Sequence, residues 1–284
     1  SLYRRPRIYR ERSKDFEKYD DKDFFIRYRL SKESVIFILK KIEHLLEFHN
    51  DRNKPVAPIN QLLCTLRFYA TGNQLLSIAD LKGISVPTCS RIIKRVSDAI
   101  VGLRSEFIQF PDTEEEQQIV KEEFYSIARF PNVLGCIDCT HIKIQSPGGD
   151  DAELFRNRKG SMSINMQTIS TAKLLITDVV ARWPGSTHDA TIYHSSRRYS
   201  KFEIGDYRGN YLLGDSGYPI KSHLLTPYLH PITHGQQKYN EAHIKTRNVV
   251  ERQYGVLKRR FDSSWNQTTI GNSNPCYVGM LCFT

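Results

Sequence analysis

The sequence has no apolar run long enough to cross a bilayer and no charged segment leading into a signal-peptide core. Neither a membrane-spanning helix nor a secretory leader is therefore expected. Acid is in short supply: 31 Asp and Glu stand against 41 Lys and Arg, a formal charge of +10. An excess of that sign calls for a polyanion, an anionic surface or simple solubility as its reason, and nucleic acid is the first of these to consider. Cysteine is confined to Cys64, Cys89, Cys136, Cys139, Cys276 and Cys282. Cys136 and Cys139 have CxxC spacing, but no second Cys/His pair follows at zinc-finger spacing, and strand side chains three apart point to opposite faces. Free thiols in a reducing compartment are favoured over structural zinc.

What is present fits a globular chain of two domains: 284 residues, 39% hydrophobic and 25% charged. It opens at Ser1 rather than methionine, so residues before it are expected. Residues 1–30 read as a basic N-terminal arm, with Arg4, Arg5, Arg7, Arg10, Arg12 and Lys14 against Glu11. Such an arm is either a solvated tail or a nuclear-import or DNA-contacting segment.

Residues 31–130 read as all-helical. Ser31 is an N-cap candidate, and Val35, Ile38, Leu39, Ile42, Leu45 and Leu46 recur at helical spacing as one apolar face. Asn50 to Pro58 is a polar linker with prolines as breakers, and a second helix follows with Leu62, Leu63, Leu66 and Tyr69 inward. From Leu75 a short helix stops at Gly83; Ser85 caps the next, with Pro87 in its first turn. On that second helix Cys89, Ile93, Val96 and Ile100 face inward, leaving Thr88, Arg91, Lys94 and Arg95 outside. This is the layout of a helix-turn-helix whose second helix enters a major groove, and equally that of a helical hairpin with a solvated basic face. A last helix, Asp112 to Ala128, opens on Asp112-Thr113-Glu114-Glu115, which resembles a capping box.

After Pro131 the periodicity becomes extended, and residues 131–284 read as an α/β domain. Val133 to Asp138 continues through Ile142 to Gln145; Ile164 to Thr171 and Leu174 to Arg182 form a hairpin. A helix near Asp189 to Ser195, a short buried strand at Tyr211 to Gly214 and a long helix from Glu241 to Phe261 complete an antiparallel pair beside parallel strands.

Three acids stand out on these elements. Asp138 and Asp215 lie at or just beyond strand ends, where open α/β sheets place their sites, and Glu251 borders the stripe Val250, Tyr254, Leu257 and Phe261 with Arg247, Gly255 and Lys258 on its own face. Phosphodiester cleavage requires an acidified water, a stabilised leaving oxygen and neutralised phosphoryl charge. Two Mg²⁺ or Mn²⁺ ions about 3.5–4 Å apart, held by bridging carboxylates, supply all three. The three carboxyl groups are accordingly expected to converge. Each acid also has a plain alternative: a turn cap at Asp138, an Asx-turn at Asp215, a surface helix charge at Glu251.

Five blocks bear on the choice: Gly135-Cys136-Ile137-Asp138-Cys139-Thr140-His141, Arg158-Lys159-Gly160, Pro184-Gly185-Ser186-Thr187-His188-Asp189, Leu213-Gly214-Asp215-Ser216-Gly217-Tyr218-Pro219, and Glu251 through Phe261. Together, in this order, they resemble the signature of the PIF/Harbinger transposases. The resemblance implies an RNase H-like mixed sheet with flanking helices, preceded by the helix-turn-helix region, and a divalent-metal-dependent DNA endonuclease. Its Asp-Asp-Glu triad falls on Asp138, Asp215 and Glu251, with 35 residues between the last two. It also implies a nuclear location, with the cytoplasm as a second compartment, and a Myb-like DNA-binding partner; a homo-oligomer is compatible with it, a membrane is not required. Asp189, next to His188, is the rival second acid, and His141 borders the first. Arg156, Arg158 and Lys159, with Lys258, are phosphate-contact candidates. Cys139 stands where the family often has glycine, and beyond Phe261 the chain departs from the family's further apolar helix, an atypical C-terminal end. An inactive DNA-binding or complex-forming protein on the same fold is the alternative; a metal-dependent phosphatase would suit the acids but leave the basic balance unexplained.

Overall fold

A computed structural model describes residues 11–48 and 54–261. Arg4, Arg5, Arg7 and Arg10, part of the polar linker, Cys276, Cys282 and the atypical C-terminal end lie outside the described residues. The chain divides between Leu103 and Arg104 into two compact units.

The first unit is helical: α1 (Asp15–Lys18), α2 (Asp21–Tyr28), α3 (Lys32–Leu46), α4 (Pro58–Thr71), α5 (Leu75–Lys82) and α6 (Val86–Gly102). Two helices thus fall inside the stretch read as a basic arm: α1 buries Asp15, and α2 carries Phe24 and Tyr28 into the core. Caps set the boundaries as local chemistry requires: Asp20, Ser31 and Ser85 each accept the amide three residues on. Gly72 and Gly83 close α4 and α5 in the left-handed conformation that an ordinary side chain resists. The buried stripe of α3 is Val35, Leu39, Ile42 and Leu46; Leu45, expected inward, is 52% exposed because it lies about 100° around the helix from Leu46. α4 packs against α3, α5 and α6, which explains why it is buried on nearly every side.

The second unit contains α7 (Arg104–Phe107), α8 (Glu114–Ala128), β1 (Val133–Lys143), β2 (Ser163–Ser170), β3 (Ile176–Pro184), α9 (Asp189–His194), α10 (Arg197–Glu203), β4 (Tyr211–Leu213), β5 (Leu224–Leu225) and α11 (His234–Arg260). Its sheet has the order β3-β2-β1-β4-β5, antiparallel from β3 to β1 and parallel from β1 to β5. This is the mixed α/β arrangement expected. α8 goes with the sheet: it packs on β1, Gln117 bonds Asn210 at 3.1 Å, and Glu123 pairs with Lys173 at 2.6 Å. Its cap is Thr113 with Glu116 rather than Asp112, whose carboxylate instead accepts bonds from Tyr207 and Arg198. β3 starts two residues late because Leu174 adopts φ +67° in the connecting turn. α11 begins at His234, seven residues early, because Thr233 and Gln236 satisfy each other's backbone amides at 3.2 and 3.1 Å.

One face of the sheet meets a core of Leu134, Ile137, Ile169, Leu212 and Leu224 with the aromatic rings of Phe110, Tyr193, Phe202, Tyr207 and Tyr218. Gly135 leaves room for β2, since a Cβ there would lie 2.4 Å from the Ile169 side chain. α11 meets the other face, where Cys136 of β1 and Thr168 and Ser170 of β2 bond Thr246, Tyr254 and Gln253. Among the described residues no helix is long and apolar enough to cross a membrane.

Candidate active site

β1 runs unbroken through Asp138, which is therefore within the strand and pairs with Thr168 of β2, rather than standing at a strand end. What ends near it is the parallel pairing. Cys136 and Leu213 are the last partners of β1 and β4, and Asp138 and Asp215 each lie two residues farther on. Strand alternation sets the directions: Cys136 and Asp138 share a face, and the Cys136 thiol approaches the Thr246 carbonyl of α11 at 3.6 Å. Cys139 points the other way, to the Tyr218 hydroxyl at 3.3 Å. Cys64, Cys89, Cys136 and Cys139 are all free, and the CxxC pair does not share a face on which to hold zinc.

Asp138 accepts its following amide, that of Cys139, at 2.8 Å on Oδ1 and faces Nη1 of Arg247 at 3.5 Å with Oδ2. Asp215 forms the Asx-turn anticipated for it, accepting the Gly217 amide at 2.9 Å. Glu251 lies on α11 beside the buried residues Val249, Val250, Gln253, Tyr254 and Leu257, and Nη2 of Arg247 donates to it at 2.5 Å. The Tyr254 hydroxyl, one turn on, donates to the Asp138 carbonyl at 2.7 Å and accepts from Thr168 at 2.9 Å. A helix is thereby fastened beside the strand that carries the first acid.

Asp189 is the first residue of α9 rather than its cap, and it accepts a bond from Asn165 at 2.8 Å. His188, the N-cap, makes no side-chain cap bond and instead meets Arg158 at 2.8 Å. His141 approaches Ser163 at 3.1 Å. Arg156 is engaged by Glu153 at 2.7 Å and by the Gly160 carbonyl at 2.8 Å, while Arg158 and Lys159 are exposed in the same loop.

Electrostatics single out Asp138. Burial pushes its pKa up to about 6; the Cys139 amide and Arg247 hold it back, and Asp215, more than Asp189, pushes it farther. A nearly buried carboxylate with two like charges near it is short of positive charge. Burial, reinforced by Asp189, raises the Cys139 thiol well above its ordinary range. Burial also lowers His141, with Lys159, Arg158 and Lys258 acting in the same sense against Asp189. Lys258 is lowered by desolvation and by Lys159, against the pull of Asp138.

The donors at this place are carboxylate oxygens, the kind that hard divalent cations take. Yet among the described residues no three His, Cys, Asp or Glu side chains are gathered tightly enough to hold an ion. The convergence expected of the three acids is thus incomplete, and Arg247 lies between two of them. Sequence reasoning placed Arg247 on the face of Glu251 but missed that it reaches Asp138; it also missed the Tyr254 hydroxyl and Asn165. The spacing of four between Arg247 and Glu251 was the available signal.

In the helical unit, Cys89, Ile93, Val96 and Ile100 are buried and Arg91 and Lys94 are exposed, as expected. Lys94 pairs with Asp98 at 3.5 Å, and Arg95 is half-buried, its guanidinium 4.4 Å from the centre of the Phe48 ring.

A profile described as DDE superfamily endonuclease matches residues 137–282. The chain is 33% identical over 234 residues to a Homo sapiens protein named "Putative nuclease HARBI1", covering 82% of this chain and 67% of that one. The Mus musculus protein of the same name is 35% identical with the same coverage. An Arabidopsis thaliana protein, "Protein ALP1-like", is 24% identical over 262 residues, 85% of this chain and 64% of that one. No solved structure matches. With the acids on their sheet and helix, and a family match across half the chain, the protein belongs to the DDE superfamily endonucleases, in their Harbinger-derived branch.

Proposed function

We propose that the chain is a divalent-metal-dependent DNA endonuclease in which Asp138, Asp215 and Glu251 form the triad on an RNase H-like fold. The observation that carries this is geometric: Asp138 and Asp215 each lie two residues beyond the last pair of the parallel strands β1 and β4, and α11, which carries Glu251, is bonded through Tyr254 to the Asp138 carbonyl, beside a largely buried Asp138 carboxyl group. Such a group is costly in a merely structural place and useful where cations are recruited. Asp138, Asp215 and Glu251 would together hold two Mg²⁺ or Mn²⁺ ions. When bound, the ions supply an acidified water and Lewis acidity at the phosphoryl group for in-line hydrolysis of a phosphodiester. Asp189 is left to position Asn165 and the start of α9 rather than to serve as second acid, because its charge acts less on Asp138 than that of Asp215.

The chain's cations then hold the polyanion. Lys258, Arg158 and Lys159 flank the acids, with His141 and His188 at the margin, and Arg156 orders their loop. α5 and α6 form a helix-turn-helix that presents Arg91, Lys94 and Arg95 to DNA, in the helical unit that ends at Leu103 and precedes the nuclease domain in the chain. A Myb-like DNA-binding partner, self-association and a nuclear location, with the cytoplasm secondary, complete the proposal.

A second reading, a DNA-binding or complex-forming protein that no longer cuts, is favoured by the incomplete gathering of acids among the described residues. Asp215→Asn separates the two. DNA affinity in chelator should survive, since those contacts need no metal, while cleavage in Mn²⁺ falls to background. Wild type that binds but never cuts favours the second reading, and equal cleavage by both proteins removes Asp215 from the site.

A further inference from the structure

We propose that Arg247 is a built-in counter-ion of the acidic site, which pairs Asp138 with Glu251 until divalent cations displace it and a nucleic-acid phosphate receives it. This rests on the nuclease reading and deepens it by giving the unloaded site its own cation. Nη1 of Arg247 lies 3.5 Å from Oδ2 of Asp138 and Nη2 lies 2.5 Å from Oε1 of Glu251. One guanidinium therefore stands between two of the three acids. On the nuclease reading the contacted oxygens, Oδ2 of Asp138 and Oε1 of Glu251, are ones that the cations would also take, so the guanidinium and the ions compete for them.

The two contacts differ in exposure to solvent. The side chains of Arg247 and Asp138 are each 17% exposed, whereas that of Glu251 is 55% exposed. The Glu251 pair is an exposed contact one turn along a helix, of the kind solvent weakens. It is the end that can open. A planar guanidinium released from it presents two parallel donors, which match a phosphate as they match a carboxylate.

Helix α11 has fastenings besides Arg247. Tyr254 donates to the Asp138 carbonyl at 2.7 Å and accepts from Thr168 at 2.9 Å, and Cys136 approaches Thr246 at 3.6 Å. Val249, Val250 and Leu257 add buried apolar surface on the same face. A residue whose work is only to fasten α11 would duplicate these contacts, while a cation placed between proposed ligands does something they do not.

The test measures Mn²⁺ binding to the full chain without DNA, by the electron paramagnetic resonance of unbound Mn²⁺, for wild type, Arg247→Gln, Arg247→Lys and Asp138→Asn. Arg247→Gln is expected to bind Mn²⁺ at least about tenfold more tightly, because a positive charge a few ångströms from the site is gone. Arg247→Lys, which keeps the charge, stays near wild type. With Mn²⁺ present, the salt dependence of DNA binding by Arg247→Gln should be shallower by about one counterion. Unchanged or weaker Mn²⁺ binding by folded Arg247→Gln overturns the proposal, and so does its failure to fold, since Arg247 would then be a fastener. Wild-type Mn²⁺ binding that Asp138→Asn leaves untouched overturns the nuclease site itself, and is recognised by that control.

Discussion

Asp15 of the helical unit and Asp138 of the sheet unit are both withdrawn from water, and their surroundings treat them in opposite ways. Asp15 is 3% exposed, and burial alone would raise its pKa. The Lys82 ammonium and the Tyr28 hydroxyl, the latter at 2.6 Å, outweigh burial and hold it below the ordinary carboxylate value. Lys82 also donates to Tyr28 at 2.9 Å, closing a three-membered network. At Asp138 burial wins: the nearest guanidinium is 3.5 Å away and shared with Glu251, and two further acids add to the burden. The fold gives Asp15 its partners and leaves Asp138 in need of them, which is what the proposed nuclease site would require.

The largest effect is expected where the satisfied charge is stripped. Lys82→Met leaves the Asp15 carboxylate buried without its cation, a change that costs about 3–5 kcal/mol. Denaturant unfolding at pH 7 measures it, and adding Asp15→Asn should restore a large part. Because the pKa of folded Asp15 is depressed, the stability it contributes is present above its unfolded value near pH 4 and is lost as pH falls through the lower folded value. The defect of Lys82→Met should shrink in acid accordingly. A variant as stable as wild type at pH 7 would break the comparison at its first term.

With Lys82 in place, Asp15→Asn should destabilise the chain, whereas the same substitution at Asp138 should stabilise it. There the folded pKa is raised from 3.8 to about 6, so the folded chain holds a proton between those values that the unfolded chain has released. Stability therefore falls as pH rises through that window, and above it the charged form carries the full penalty. Asp138→Asn is expected to stabilise the chain by about 2 kcal/mol at pH 7, a gain that fades as pH falls toward 4, while cleavage is lost. Unfolding curves at both pH values check this. Destabilisation at pH 7 would mean that Asp138 is as well partnered as Asp15.

Much of the fold was legible because it is written in local chemistry. Ser31 and Ser85 stand before helices that need an acceptor, and two β-rich runs joined by a tight connection marked β2 and β3. Asp138, Asp215 and Glu251 could be singled out because a strand, a strand end and a helix margin are each visible over a few residues. What joins them was not visible. Arg247 and Asp138 are 109 positions apart, Tyr254 and the Asp138 carbonyl 116 apart, and Lys82 and Asp15 67 apart. Such pairs depend on how elements pack, and no short-range pattern encodes them. For the same reason residues 15–28 read as part of a charged arm: their helices are short, and the burial of Asp15, Phe24 and Tyr28 gives them a place.

The smallest effect extends the comparison to the cations of α6, which differ in how far the protein has already satisfied them. Arg91 is exposed; Lys94 has Asp98 at 3.5 Å; Arg95 lies 4.4 Å from the centre of the Phe48 ring and is half-buried. If α6 reads DNA, Arg91 is the one of the three most available to a phosphate, and neutralising a phosphate releases a condensed counterion. Arg91→Ala should then lower the slope of log binding constant against log salt by about 0.9, with a modest loss of affinity. Lys94→Ala should lower it less, because Asp98 already offsets part of its charge, and losing that exposed pair alters stability by only about 0.5 kcal/mol. Arg95→Ala should act first on stability, through the contact with Phe48. Titrations of a DNA duplex across a salt series, with unfolding curves for each variant, resolve the order. Equal slopes in all three variants and wild type would return α5 and α6 to a helical hairpin whose basic face meets only water.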